Sequence, residues 1–172
     1  MDEHAWLDPA NARAWLFAIA EALAEADPAN AAAYRANAEA GADELEALER
    51  EIEARLAPVR DTPYIVFHDA YQYFEARFGV AAAGAISLGD ASRPSAARIR
   101  EIREVVAETG AACAFAEPQF APKLVETVIE DTEARAATLD PLGATLPLGP
   151  DLYPALLETL AADLVSCLTA EG

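Results

Sequence analysis

Apolar residues recur along this chain in two rhythms, and the change between them falls near residue 63. Before it, the spacing is helical. The stretch "LDPANARAWLFAIAEALAEA" opens with Asp8, a side chain suited to capping a helix, and Pro9, whose fixed φ and missing N–H suit the first helical position. An alanine-rich amphipathic run follows, which predicts a first helix. A second Asp-Pro pair, Asp27 and Pro28, restarts the pattern. Tyr34, Ala38, Gly41, Leu45, Leu48, Ile52 and Leu56 then return at intervals of three and four, predicting one long helix that Pro58 stops. Its other faces carry Glu44, Glu46, Glu49, Arg50, Glu51, Glu53 and Arg55, an ordinary solvated surface.

From residue 63 onward, short apolar segments alternate with helix-like ones. "YIVF", "VAAAGAI", "AACAFAE" and "ARAATLD" read as strands, and the stretches 69–78, 95–108 and 120–131 read as helices between them. Strands that alternate with helices imply a parallel sheet, because each crossover must carry the chain back to the same end. The fold class expected is α/β, a four-stranded parallel sheet in the order 2-1-3-4 flanked by helices. A helix over "DLYPALLETLAADLVSCL" closes it, with Pro154 in the first turn. On this pattern the two N-terminal helices stand apart from the β/α part.

Composition narrows the class of partner. A chain of 172 residues, 53% hydrophobic, can bury one proper core. A formal charge of -18 repels phosphate backbones and anionic bilayer surfaces, which argues against nucleic acid and against direct membrane insertion. No apolar run is expected to reach a membrane span. The opening "MDEHAWLDPA" starts with acids rather than with a signal-peptide pattern, and it looks like a methionine placed on a chain that would begin further upstream.

Candidate chemistry is sparse. "FHDAYQYF" puts His68, one of two histidines, where the first strand should hand over to a helix. In open α/β sheets, ligands bind at the carboxyl ends of strands. The plain alternative is that His68 ends the strand and Asp69 caps the following helix. Cys113 and Cys167, in a strand and a helix, suit two small buried apolar residues, and they lack the close pairing of a structural zinc site. No phosphate-cradling glycine loop, GxSxG elbow or HExxH pair is present.

Taken in order, "HAWLDPANA", "FHDAYQYF", "FAEPQFAPKLVETV" and "LDPLGA" resemble the periplasmic zinc-binding proteins of bacterial ABC transporters, the ZnuA type of metal-receptor substrate-binding protein. The resemblance covers essentially the whole chain but only the C-terminal portion of the family. It implies residues 1–26 as a metal-site segment and first helix, 27–58 as the long helix linking two lobes, and 59–172 as the C-terminal α/β lobe. It implies His4 and His68 as zinc ligands. Histidine at position 68, where manganese-selective relatives carry glutamate, favours Zn²⁺. Asp140 matches an aspartate ligand of those relatives; hydrogen bonding to a ligand rather than to the metal, and capping of the turn before Pro141, stay open for it. A Cys113–Cys167 disulfide is implied too, in an oxidising periplasm. The implied function is capture of zinc and its delivery to an inner-membrane ABC permease, without covalent chemistry. The family's N-terminal lobe, with its first metal histidine, has no counterpart here. His4 is therefore expected to lack a docking surface and to be mobile. Two rival readings remain: a zinc-dependent hydrolase with Glu117 as general base, and a metal-free folding module that forms homodimers.

Overall fold

Asp8 and Pro9 act as their chemistry suggests. In the computed structural model, which describes residues 3–87, 94–120 and 122–169, the Asp8 carboxylate accepts from the Ala10 N–H at 2.9 Å and α1 runs Pro9–Ala26. Pro28 opens a single 3-10 turn before α2, Ala31–Leu56. The chain leaves α2 through a second such turn, Ala57–Val59, that contains Pro58. Gly41 lets the two helices close together: a Cβ there would meet Leu16 Cδ1 at 3.1 Å.

The remaining elements are β1 (Tyr64–His68), α3 (Gln72–Phe78), β2 (Gly84–Ser87), α4 (Ala96–Thr109), β3 (Cys113–Ala116), α5 (Lys123–Ile129), β4 (Arg135–Thr138) and α6 (Leu152–Thr169). The four strands form one sheet in the order β2-β1-β3-β4, every pair parallel, as the alternation predicted. Pro154 lies in the first turn of α6, where a proline costs no ladder bond.

β1 is buried on both faces, so its residues divide by parity. Ile65 and Phe67 join Ile102 and Val106 of α4 and Val125 and Val128 of α5 in one core. Tyr64 and Val66 join Leu157, Leu160 and Leu164 of α6 in the other. Leu45, Leu48, Ile52 and Leu56 of α2 lie in that second core as well. The helical pair thus does not stand apart from the β/α part: α2 is one wall of its core, and Ala12 and Leu16 of α1 pack against that core from outside. Trp15, Ile19 and Leu23, spaced four apart along α1, are exposed.

α6 also departs from expectation. At 18 residues with a mean hydropathy of 1.3 it is long and apolar enough to cross a membrane by length and composition. Here its Leu156, Leu157, Leu160, Ala161, Leu164, Cys167 and Leu168 are buried in the protein. A disulfide between Cys113 and Cys167 fastens it to β3.

Candidate functional site

Strand parity sets the site. Val66 of β1 is in register with Phe115 of β3, so two residues further on His68 stands beside Glu117. Both side chains then lie on the α6 face of the sheet. Glu117 Oε1 is 2.6 Å from His68 Nδ1, and the same oxygen receives the His68 backbone N–H at 3.4 Å. Both residues are buried, at 3% exposure each. From sequence Glu117 stands only as the general base of the hydrolase reading. The signal that would have paired it with His68 was the parallel register, visible once the two strands were known to be neighbours.

The chain turns sharply after β1, the Ala70 N–H donating to the His68 carbonyl at 2.9 Å. Asp69 is exposed and does not cap α3; Tyr71 takes the N-cap position without any side-chain cap bond. The turn uses up the residues over which a cap would have formed. Tyr71 instead donates its hydroxyl to the Leu139 carbonyl at 3.4 Å. Burial pushes that phenol well up, and the negative charges of Glu117 and Asp140 push it further.

His4 is docked, contrary to the expectation of a mobile terminus. It opens a 3-10 turn over Ala5–Leu7, and Leu7 is fully buried in the core. The Trp6 indole N–H donates to the Pro141 carbonyl at 3.0 Å, and the Tyr153 hydroxyl donates to the Trp6 carbonyl at 2.7 Å. Arg77 of α3 grips Asp8 with two bonds, at 2.7 and 2.9 Å. This α/β lobe therefore supplies the docking surface itself. The His4 ring comes to rest edge-on against His68, centroids 5.2 Å apart.

Asp140 follows β4. Its Oδ1 accepts from the Leu142 N–H and from Gln119 Nε2, both at 3.1 Å, which caps the turn at Pro141. Its Oδ2 is buried and has no hydrogen-bond partner among the described residues. An orphaned carboxylate oxygen is costly unless a cation or proton meets it.

These segments enclose a cavity of about 240 Å³ lined by Glu3, His4, Trp6, His68, Glu117, Gln119, Phe120, Pro141 and Leu142. Two imidazoles meet edge-on there, and an orphaned carboxylate oxygen belongs to the residue between Leu139 and Pro141. Nitrogen and oxygen donors of this kind suit a borderline metal such as zinc. Among the described residues, no group of three His, Cys, Asp or Glu side chains is gathered closely enough to hold an ion alone.

A family model described as the periplasmic component A of the zinc-uptake complex, ZnuA, matches residues 1–167. The high-affinity zinc uptake system protein ZnuA of Brucella suis biovar 1 is 54% identical over 168 residues, 98% of this chain and 50% of that protein. The mutant structure of the laminin-binding adhesin from Streptococcus agalactiae superposes with a TM-score of 0.86 at 31% identity, covering 98% of this chain and 63% of the other. A ZnuA deletion mutant with zinc bound gives a TM-score of 0.83 at 28% identity, covering 100% and 63%. This chain spans about half the length of the curated relatives it matches.

Proposed function

The chain belongs to the periplasmic zinc-uptake component A family, and from that premise we propose that it is a zinc-capturing binding module whose cargo enters between His4 and His68. The observation that carries this reading is the approach of the two imidazoles, centroids 5.2 Å apart, at the carboxyl end of β1. Glu117 holds Nδ1 of His68, so zinc reaches that ring through Nε2. Asp140, whose buried Oδ2 has no hydrogen-bond partner among the described residues, is the proposed third donor. Zinc ordinarily takes four ligands, so water or a group from beyond this chain completes the shell. In the family setting the bound ion passes to an ABC permease across the periplasm.

A binding role fits Glu117 better than hydrolysis does. Its Oε1 is engaged by both the ring and the backbone N–H of His68 in a buried pair, the arrangement of a group that holds a ligand in place.

Isothermal titration with zinc at neutral pH tests the proposal. Binding should be one ion per chain, and His68→Ala should weaken it at least tenfold, with Asp140→Ala costing less. Binding should also weaken in acid, since protonated rings do not coordinate. Tight one-to-one binding that survives His68→Ala would sink the assignment.

A further inference from the structure

His68 and Asp140 each offer a metal two atoms, and in each case one is already engaged by the same short stretch, 117–120, at the exit of β3. Glu117 Oε1 takes His68 Nδ1 at 2.6 Å, and Gln119 Nε2 donates to Asp140 Oδ1 at 3.1 Å. Phe120 braces the imidazole edge-on, centroids 5.8 Å apart, while stacking on Phe67 at 4.5 Å. One loop can reach both ligands because β3 lies between β1 and β4 in the sheet. An anionic acceptor at Nδ1 draws the ring proton to that nitrogen and leaves the Nε2 lone pair for a cation. An amide donor on Oδ1 likewise fixes the carboxylate plane and leaves Oδ2, which is buried without a hydrogen-bond partner among the described residues.

We propose that Glu117 and Gln119 are the positioning residues of the zinc pocket, setting the tautomer of His68 and the rotamer of Asp140 before the ion arrives. This rests on the reading of His68 and Asp140 as ligands. Its physical content is preorganisation: a ligand already held in its binding geometry loses little freedom on capture, so affinity is not spent on reorientation.

Two measurements test it. The first needs no metal. Long-range proton–nitrogen NMR of the histidines, in mildly alkaline solution, should find the His68 proton on Nδ1. Glu117→Gln, whose amide can donate as well as accept, should abolish that preference. The second is a pair of double-mutant cycles read by zinc titration. Glu117→Gln and Gln119→Ala should each weaken binding about 10- to 100-fold in the native chain. Neither should weaken it further in the His68→Ala and Asp140→Ala backgrounds, respectively. A residue that merely shored up the fold would cost the same in both backgrounds.

The proposal is overturned by a proton on Nε2 in the native chain, by equal losses in both backgrounds, or by no loss in the single variants. Should a variant fail to fold, the native NMR experiment still decides for Glu117. If His68→Ala leaves zinc binding intact, the ligand reading fails, while the NMR result independently decides whether Glu117 sets the ring.

Discussion

Asp8 holds two structures at once. Its carboxylate caps α1 through the Ala10 N–H and takes the Arg77 guanidinium from α3, so it ties the segment bearing His4 to the lobe. The Asp8→Ala variant should lose about 1 to 2 kcal/mol, the usual range for a lost N-cap, and Asp8→Asn should keep most of the cap while losing the ion pair. Thermal melts of the two variants check the ordering; equal losses would mean that the Arg77 contact, not the cap, dominates. Asp8 and Pro9 were legible as a helix start because a cap is a local event, settled within three residues. The partners of His68 and His4 were not. Glu117 is 49 residues from His68, and the carbonyl that holds Trp6 is 135 residues away, distances over which no spacing rule operates. Asp69 misled for a related reason: a cap needs room before the helix, and the tight turn from His68 to Ala70 removed it.

At the scale of elements, α6 depends on a covalent tie to the sheet. The Cys113–Cys167 bond closes a loop with a sequence separation of 54, which in the chain-entropy model contributes about 4 kcal/mol. Reduction should therefore lower the melting temperature by roughly 10 °C, as calorimetry with and without reductant would reveal. An unchanged transition would imply that the packing of Leu157, Leu160 and Leu164 alone holds the helix. The parallel sense of the sheet was readable from alternation because parallel strands need crossovers, and the crossovers carried their own helical pattern. The place of α2 was harder to read. Its apolar stripe announced one buried face without saying whether α1 or the sheet side would cover it, and it packs against both α1 and α6.

For the molecule as a whole, the phenols of buried Tyr64 and half-buried Tyr153 set an alkaline limit. Burial, and secondarily the charge of Glu75, raises the Tyr64 phenol far above its ordinary value; burial, and then Asp8, does the same for Tyr153. A folded-state value raised above the unfolded one favours the neutral, protonated phenol in the fold. Its contribution is complete below about pH 10, where an unfolded tyrosine begins to ionise, and it is lost as pH climbs beyond that. Melting temperatures followed by circular dichroism should thus fall steeply above about pH 10. Tyr153→Phe should flatten the fall. A pH-independent transition across that range would contradict the burial of these rings.

The indole of Trp6 lies 5.0 Å from the His4 ring and lines the cavity between the histidines, while the chain's other tryptophan, Trp15, sits 44% exposed on α1. That pairing gives the pocket its own optical gauge. An ion entering beside His4 alters the polarity around Trp6 and leaves Trp15 untouched, so a Trp15→Phe chain becomes a single-fluorophore reporter. Zinc added to it should change the emission in a saturable way with the same midpoint as calorimetric binding. His68→Ala should silence the response, and a native-like signal from that variant would place the ion elsewhere.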